Sequence, residues 1–411
     1  MNKYGCIGKK LTHSFSKEIH EQLADYPYEL MELTEDELPS FFAKKEFAGI
    51  NVTMPYKQTV IPYLDHISDV AHRIGAVNTV VNRDGRLYGD NTDYYGMQAL
   101  IRRVGIDLKG KKVLILGTGG TSRTARAVVA DLGATEVLTV SRTASPGHIT
   151  YPQAALYADT AVIINTTPCG MYPDTEATPI DVTLFPRLEG VIDAVYNPLR
   201  TNLVLDAQTA GIKAEGGLYM LVMQAVAAVE RFLGVTIAQD KADGVFSTLL
   251  AAKENIVLTG MPDSGKSTVG RVLAADGYPL FDTDAAVETR CGCTIKELIA
   301  TKGEADFRDL ETEVIRDLSA VTGAVIATGG GAILREENVR RLKRNGKLYF
   351  LDAPLTRLCA DDTRPLADTA EKLTRLYEER IHRYRATADA VVPSLTTPKE
   401  EAEYILAKRM E

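Results

Sequence analysis

Gly260-Met-Pro-Asp263-Ser264-Gly265-Lys266-Ser267 has the spacing G-x-x-x-x-G-K-[ST] and lies between an apolar run and an amphipathic stretch. Glycines let the backbone wrap, so that several N–H groups face one phosphate, and a helix N-terminus behind the loop adds its positive end. Lys266 would reach the β- and γ-phosphates of a nucleotide, Ser267 would ligate Mg²⁺, and Asp263, Ser264 and Thr268 would complete the cradle. Further along, Phe281-Asp282-Thr-Asp284 offers two carboxylates, one to hold metal-bound water and one to accept a proton from a hydroxyl. Arg308 and Arg380 offer guanidinium groups. Thr328-Gly329-Gly330-Gly331 lets backbone approach a small polar ligand, and Arg364 sits in a polar stretch, Thr363–Leu366. Taken singly, Arg308 or Arg380 also reads as a solvated helix face.

The first half has a different chemistry. Gly117-Thr-Gly119-Gly120-Thr121-Ser122-Arg123 joins a strand pattern to a helix pattern as an imperfect dinucleotide fingerprint, with Ser122 at the third glycine position. An ordinary tight turn is the alternative. The next strand ends in Ser141-Arg142-Thr143 where an acidic residue would bind a ribose hydroxyl, so the cation and its flanking hydroxyls favour the 2′-phosphate of NADP. Upstream, Leu11–Ser16, Asn51–Lys57, Gly75–Thr79 and Gly89–Asp93 gather hydroxyls and amides with one lysine and one aspartate. A polyhydroxylated acid needs such partners. Turn and cap chemistry favours the same residue types.

Short apolar runs alternate with amphipathic stretches, which predicts an α/β chain with parallel sheets. Strands are expected at Lys112–Leu116, Val137–Val140, Ala161–Ile164, Gly190–Asp193, Ile256–Leu258, Ala324–Ala327 and Lys347–Leu351. Helices are expected at Thr121–Leu132, Leu218–Leu233 and Ala242–Lys253.

The 411 residues carry 45% hydrophobic and 25% charged side chains, an ordinary globular balance for two or three domains. The net charge is −8, and the halves on either side of Lys253/Glu254 carry −4 each, which argues against nucleic acid or an anionic membrane as partner. Five cysteines without a CxxC pair make a poor disulfide framework and suit a reducing cytoplasm. No apolar leader or membrane-length run stands out, and the six histidines lack ligand spacing. The oligomeric state is not readable from sequence.

In their order and spacing, the motifs of residues 254–411 resemble shikimate kinase. The resemblance implies a P-loop domain with a lid that phosphorylates the 3-hydroxyl of shikimate. Asp282 would serve Mg²⁺ and Asp284 would act as base. Arg308, Arg380 and Gly329–Gly331 would clamp the acid, with Arg364 coming from the lid. The family's R-P-L-L reads Arg364-Pro-Leu-Ala367 here.

Residues 1–253, with Asn165–Met171, Asp193–Pro198 and Gly217–Ala225 continuing the agreement, resemble shikimate dehydrogenase. That implies a two-lobed fold, with a substrate lobe at about 1–100 plus 217–253 and a Rossmann-like NADP lobe at about 101–216. The implied reaction is reversible, NADPH-dependent reduction of 3-dehydroshikimate. Lys57 and Asp93 would stand at the reacting oxygen, and Ser14 and Ser16 would hold the substrate carboxylate. Thr53, Asn78, Tyr196 and Gln224 would complete the pocket. Gly117, Gly119, Gly120, Thr121, Ser141, Arg142, Thr143 and Gly217 would hold NADP(H). Both resemblances name one small acid. The rivals are an enzyme pair acting on quinate or another polyol, and a ligand sensor that lost its chemistry. A sensor has no need of Lys57, Asp93, Lys266 and Asp284 together.

Overall fold

A computed structural model of the chain describes residues 3–11, 15–361 and 366–409. Ser14 and Arg364 lie outside the described residues. The chain forms two compact units, Met1–Leu249 and Leu250–Glu411. Among the described residues, no helix is long and apolar enough to cross a membrane.

The first unit holds two six-stranded sheets. The first comprises β1 (Tyr4–Gly8), β2 (Tyr28–Glu32), β3 (Gly49–Val52), β4 (His66–Ile67), β5 (Thr79–Arg83) and β6 (Arg86–Asp90), in the order β2-β1-β3-β5-β6-β4. β1 runs parallel to β2 and β3, while β5 is antiparallel to both β3 and β6. The second comprises β7 (Lys112–Leu116), β8 (Glu136–Ser141), β9 (His148–Thr150), β10 (Val162–Asn165), β11 (Gly190–Asp193) and β12 (Lys213–Glu215). Its order is β12-β11-β10-β7-β8-β9 and every pair is parallel. The last four residues of β7 and all of β10 and β11 are buried, as continuous apolar runs covered by helices on both faces should be. The winding reverses between β7 and β10, and open sheets of this kind bind ligands in the crevice at that reversal.

Helix Leu218–Leu233 is apolar around most of its circumference, which demands cover on several sides. It lies against helix Asp93–Val104, where a Cβ on Gly96 would stand 2.4 Å from the Met220 carbonyl oxygen. It also reaches the first sheet, where a Cβ on Gly49 would meet the Phe232 ring at 2.3 Å. The C-terminal part of the unit thus returns to the first lobe. The next helix begins at Gln239, three residues before the expected Ala242. Its first turn is polar and shows no apolar period. It is held by Gln239 Nε2 donating to Tyr219 Oη (3.0 Å) and Asp243 Oδ1 (3.1 Å).

The second unit has five parallel strands, β13 (Asn255–Thr259), β14 (Leu280–Asp282), β15 (Val325–Ala327), β16 (Gly346–Asp352) and β17 (Ala390–Pro393). Their order is β14-β15-β13-β16-β17. All five residues of β13 are buried, as the central position requires. Ala367, which stands at the second leucine of the R-P-L-L motif, is itself buried, in the core that also contains Leu358 and Leu373.

Candidate active sites

In the first unit, Lys57 follows β3 and Asp93 opens helix Asp93–Val104. Lys57 Nζ lies 2.5 Å from Asp93 Oδ2. Asn78 Nδ2 donates to Asp93 Oδ1 at 2.9 Å, so both carboxylate oxygens are fixed. Asn78 is fixed in turn because its Oδ1 accepts from the Thr92 backbone N–H at 2.6 Å. Behind it, Tyr28 Oη donates to Asn51 Oδ1 (2.7 Å), and Asn51 Nδ2 donates to Thr79 Oγ1 (3.1 Å). His20 closes the back of this network, with Nδ1 2.8 Å from Tyr26 Oη and its ring stacked on Tyr28 at 4.0 Å. Burial holds the imidazole down at about 3, so it stays neutral. Residues of four segments, 20–28, 51–57, 78–79 and 92–93, meet in this network, which holds the Lys57–Asp93 pair in one geometry.

Gln224 is buried on helix Leu218–Leu233 and its Nε2 donates to the Leu221 carbonyl (2.9 Å). Thr53 donates its backbone N–H to Ile7 O (3.0 Å), and a Cβ on Gly8 would touch its methyl group at 2.6 Å. Ser16 opens helix Ser16–Leu23. Beside it the Phe15 ring meets the Tyr196 ring, with centroids 5.4 Å apart, and burial pushes the Tyr196 phenol up. The lobes are also tied by Arg73, which pairs with both oxygens of Asp131 (3.0 and 2.5 Å), and by Tyr94 Oη donating to Asp131 (2.6 Å).

The Gly117–Gly120 turn leaves β7 at the crevice. Gly117 has φ +105°, a conformation that suits glycine, and a Cβ there would stand 2.9 Å from the Thr167 methyl. A Cβ on Gly119 or Gly120 would meet nothing within 4 Å, so this backbone faces open space at the start of helix Gly120–Asp131. That is the cradle a pyrophosphate needs. Thr121 is in the first turn. Ser122, at the imperfect third position, is buried, so its small side chain preserves helix–sheet contact. Ser141 ends β8, with Arg142 and Thr143 exposed beside it.

Asp193, at the end of β11, was not singled out by sequence reasoning as a functional side chain. It is fully buried and accepts from Thr201 Oγ1 (2.6 Å), Asn165 Nδ2 (2.9 Å) and the Val195 N–H (2.9 Å). Burial raises its pKa to about 7 despite these donors. It joins the loops after β10 and β11. Gly217 N–H donates to Val195 O (2.8 Å), which secures the start of helix Leu218–Leu233 to the same loop, and a Cβ there would lie 2.3 Å from Ala194 O.

In the second unit, the loop after β13 wraps around its own lysine. Lys266 Nζ donates to Gly260 O (2.9 Å) and Met261 O (2.8 Å). Gly265 has φ +92°. Ser267 Oγ donates to Asp282 Oδ2 (2.8 Å), while Asp282 Oδ1 caps the next helix through the Asp284 N–H (3.0 Å). Ser267 and Asp282 thus present two oxygens at one point, which fits Mg²⁺ completed by waters and phosphate oxygens. Among the described residues, no cluster of three or more His, Cys, Asp or Glu side chains could hold a metal ion by itself.

A cavity of about 470 Å³ joins this loop to Asp284, Arg308, Gly330, Gly331 and Arg380. Burial, then the negative charges of Glu311 and Asp282, raise the Asp284 carboxyl to about 6, against the opposing pull of Lys266 and Arg308. Arg308 Nη1 pairs with Glu311 Oε2 at 2.8 Å, and the glutamate is fully buried. The glycines are required by proximity here. A Cβ on Gly329 would stand 2.3 Å from Asp284 Oδ1, and one on Gly331 would stand 2.2 Å from the Arg308 guanidinium. Arg380 is buried, and with Tyr384 it donates to the Gly330 carbonyl, Arg380 Nη1 at 3.2 Å. Asp263, with φ +68°, accepts from the Cys359 N–H (3.0 Å) and so ties the loop after β13 to the segment that follows β16.

Residues 262–409 match the family model for shikimate kinase, and residues 6–80 match that for the shikimate dehydrogenase substrate binding domain. The shikimate dehydrogenase (NADP(+)) of Clostridium perfringens strain SM101 is 34% identical over 267 residues, covering 61% of this chain and 98% of that protein. The solved shikimate dehydrogenase 1 of Peptoclostridium difficile is 33% identical with a TM-score of 0.56, over 61% of this chain and 98% of its own. A chorismate mutase/shikimate 5-dehydrogenase fusion protein from Clostridium acetobutylicum is 33% identical with a TM-score of 0.58, over 61% of this chain and 97% of its own. The chain therefore belongs to the shikimate dehydrogenase family and, with a shikimate kinase domain in the same polypeptide, is a bifunctional enzyme of the shikimate pathway.

Proposed function

We propose that residues 1–253 reduce 3-dehydroshikimate to shikimate with NADPH, and that residues 254–411 phosphorylate shikimate at its 3-hydroxyl with ATP. The observation that carries this reading is the joining of the two families in one chain, each with its reactive groups gathered: Lys57 against Asp93, and Asp284 beside the phosphate loop.

In the first site, Lys57 Nζ gives a proton to the carbonyl oxygen of the substrate and Asp93 holds the ammonium in place. Bound NADPH supplies the hydride. Gly117, Gly119, Gly120 and Thr121 would hold its pyrophosphate, Ser141, Arg142 and Thr143 its 2′-phosphate, and Gly217 the loop beside it. Ser16, Thr53, Asn78, Tyr196 and Gln224 match the hydroxyls and carboxylate of the substrate. In the second site, Asp284 takes the proton of the attacking hydroxyl, and Arg308, Arg380 and the Gly329–Gly331 backbone orient the acid. Lys266 turns from the loop carbonyls to the phosphates of ATP, within the cradle of Gly260, Asp263, Ser264, Gly265 and Thr268. Mg²⁺ held by Ser267 and Asp282 supplies positive charge to the phosphates.

An assay containing 3-dehydroshikimate, NADPH, ATP and Mg²⁺ should yield shikimate 3-phosphate, identified by mass. Accumulation of shikimate with no phosphorylated product would refute the second half of the proposal, and turnover of quinate in preference would refute the substrate.

Arg142 and Gly331 give sharper tests. Arg142 is exposed at the end of β8, so its removal leaves the core intact. Arg142→Ala should raise KM for NADPH about tenfold or more and leave KM for NADH nearly unchanged, because a charge-assisted contact to one phosphate contributes about 1.5–3 kcal/mol. Equal effects on both nucleotides would remove the 2′-phosphate role. Gly331→Ala should push the Arg308 guanidinium from its place and raise KM for shikimate about tenfold, with KM for ATP unchanged. An unaltered shikimate KM would mean that Arg308 does not touch the acid.

A further inference from the structure

Cys291, Gly292 and Cys293 form the turn between helix Thr283–Cys291 and helix Ile295–Lys302. Gly292 has φ +71°, and this left-handed residue folds the chain back so that Cys293 faces Cys291. Their sulfurs stand 3.4 Å apart, with Cys293 Sγ donating to Cys291 Sγ. Both thiols are free and partly exposed. A disulfide has an S–S distance of about 2.0 Å, so closure needs an approach of about 1.4 Å.

The two helices that this turn joins both reach the kinase cavity. Helix Thr283–Cys291 carries Asp284 and Glu288, and helix Ile295–Lys302 carries Ile295 and Ile299. All four line the cavity. Glu288 Oε1 also accepts from the Ile295 N–H at 3.0 Å, so the two helices are linked across the turn by a residue of the cavity wall. A disulfide in this turn would tie the end of the first helix to the start of the second, and so fix the spacing of Asp284 and Ile295.

We propose that Cys291 and Cys293 are a reversible dithiol–disulfide pair whose state sets the affinity of the kinase site for its small acid. This rests on the reading of that cavity as the shikimate pocket. The oxidant is a low-molecular-weight disulfide such as oxidised glutathione. The Cys291 thiolate attacks one of its sulfurs and expels one thiolate. The Cys293 thiolate then attacks Cys291 Sγ, breaks the mixed disulfide and expels the second. The two thiol protons of the protein pass to the two expelled thiolates, so two equivalents of small thiol are formed and the protein loses two hydrogens. A small dithiol reverses both steps.

The full-length protein should be equilibrated in glutathione buffers of graded potential. The peptide spanning Cys291 and Cys293 should lose two hydrogens in mass as the buffer becomes oxidising, and regain them with dithiothreitol. In parallel, KM for shikimate should rise by about threefold or more, with KM for ATP and the dehydrogenase rate unchanged. Cys291→Ser and Cys293→Ser should each abolish the redox response while retaining reduced-state kinase activity. Separate glutathione adducts on the two cysteines, no change in mass, an oxidised protein with the reduced-state KM, or a Cys291→Ser protein that responds like the parent would each overturn the proposal. A reduced protein that never phosphorylates shikimate would instead overturn the kinase assignment, since the mass measurement does not depend on turnover.

Discussion

A Lys57→Ala protein should lose about 10²–10⁴-fold in kcat for NADPH-dependent reduction of 3-dehydroshikimate, while phosphorylating shikimate at the parent rate. The expectation follows from the fixed geometry. Lys57 Nζ is held at 2.5 Å from Asp93 Oδ2, and the other carboxylate oxygen is occupied by Asn78. The lysine is therefore a proton carrier set in one place. Truncation removes the Lys57 ammonium from Asp93, and a carboxylate left buried without that partner destabilises the lobe. A melting curve must accompany the rates for that reason. Asp93→Asn separates the two roles. It keeps the neighbouring geometry and removes the charge, so an effect as large as that of Lys57→Ala would mean that the pair exchanges the proton together. A smaller effect would leave the proton with Lys57 and a positioning role with Asp93. Parent-like kcat in Lys57→Ala would end the assignment.

Why some of this was legible in the residues, and some not, has a physical basis. The central strands of the second and third sheets are runs of apolar residues buried on both faces, such as Val113–Leu116 and Ile256–Leu258, and such runs stand out against amphipathic helices. Helix Leu218–Leu233 was readable over its full length for the same reason. The first sheet was not. Its strands are two to five residues long and mix Tyr, Gly, Asn and Glu with apolar residues, and β2 is largely open to solvent. Local chemistry that rests on spacing, as in Gly260–Ser267, is written in the chain. Pairings between distant segments carry no such mark: Arg308 with Glu311 is only three residues apart, but Asn78 meets Asp93 across 15 positions and Asp193 meets Asn165 across 28. The role of Asp193 as the joint between the loops after β10 and β11 therefore emerges only in three dimensions. Arg380, ambiguous as a single helix residue, is settled as buried by its bond to the Gly330 carbonyl.

Asp284→Asn should cost the kinase about 10²–10⁴-fold in kcat, with the dehydrogenase unaffected, and it carries its own control in pH. Burial and the charges of Glu311 and Asp282 raise the Asp284 pKa to about 6. A base works when deprotonated, so parent kinase activity should be full well above pH 6 and fall about tenfold per pH unit below it. The residual activity of Asp284→Asn should lack that limb. The stability effect has the opposite sense. Because the folded-state pKa lies above that of an unfolded aspartate, the native state binds more protons between the two values, and stability decreases as pH rises through that window. Above pH 6 the ionised carboxylate is a liability to the fold. Removing it should leave the melting temperature at neutral pH equal to or above that of the parent, so a lost rate cannot be blamed on a lost fold. An Asp284→Asn kinase that keeps the acid limb would assign that limb to another group, and one that keeps its kcat would show that the hydroxyl proton leaves by another route.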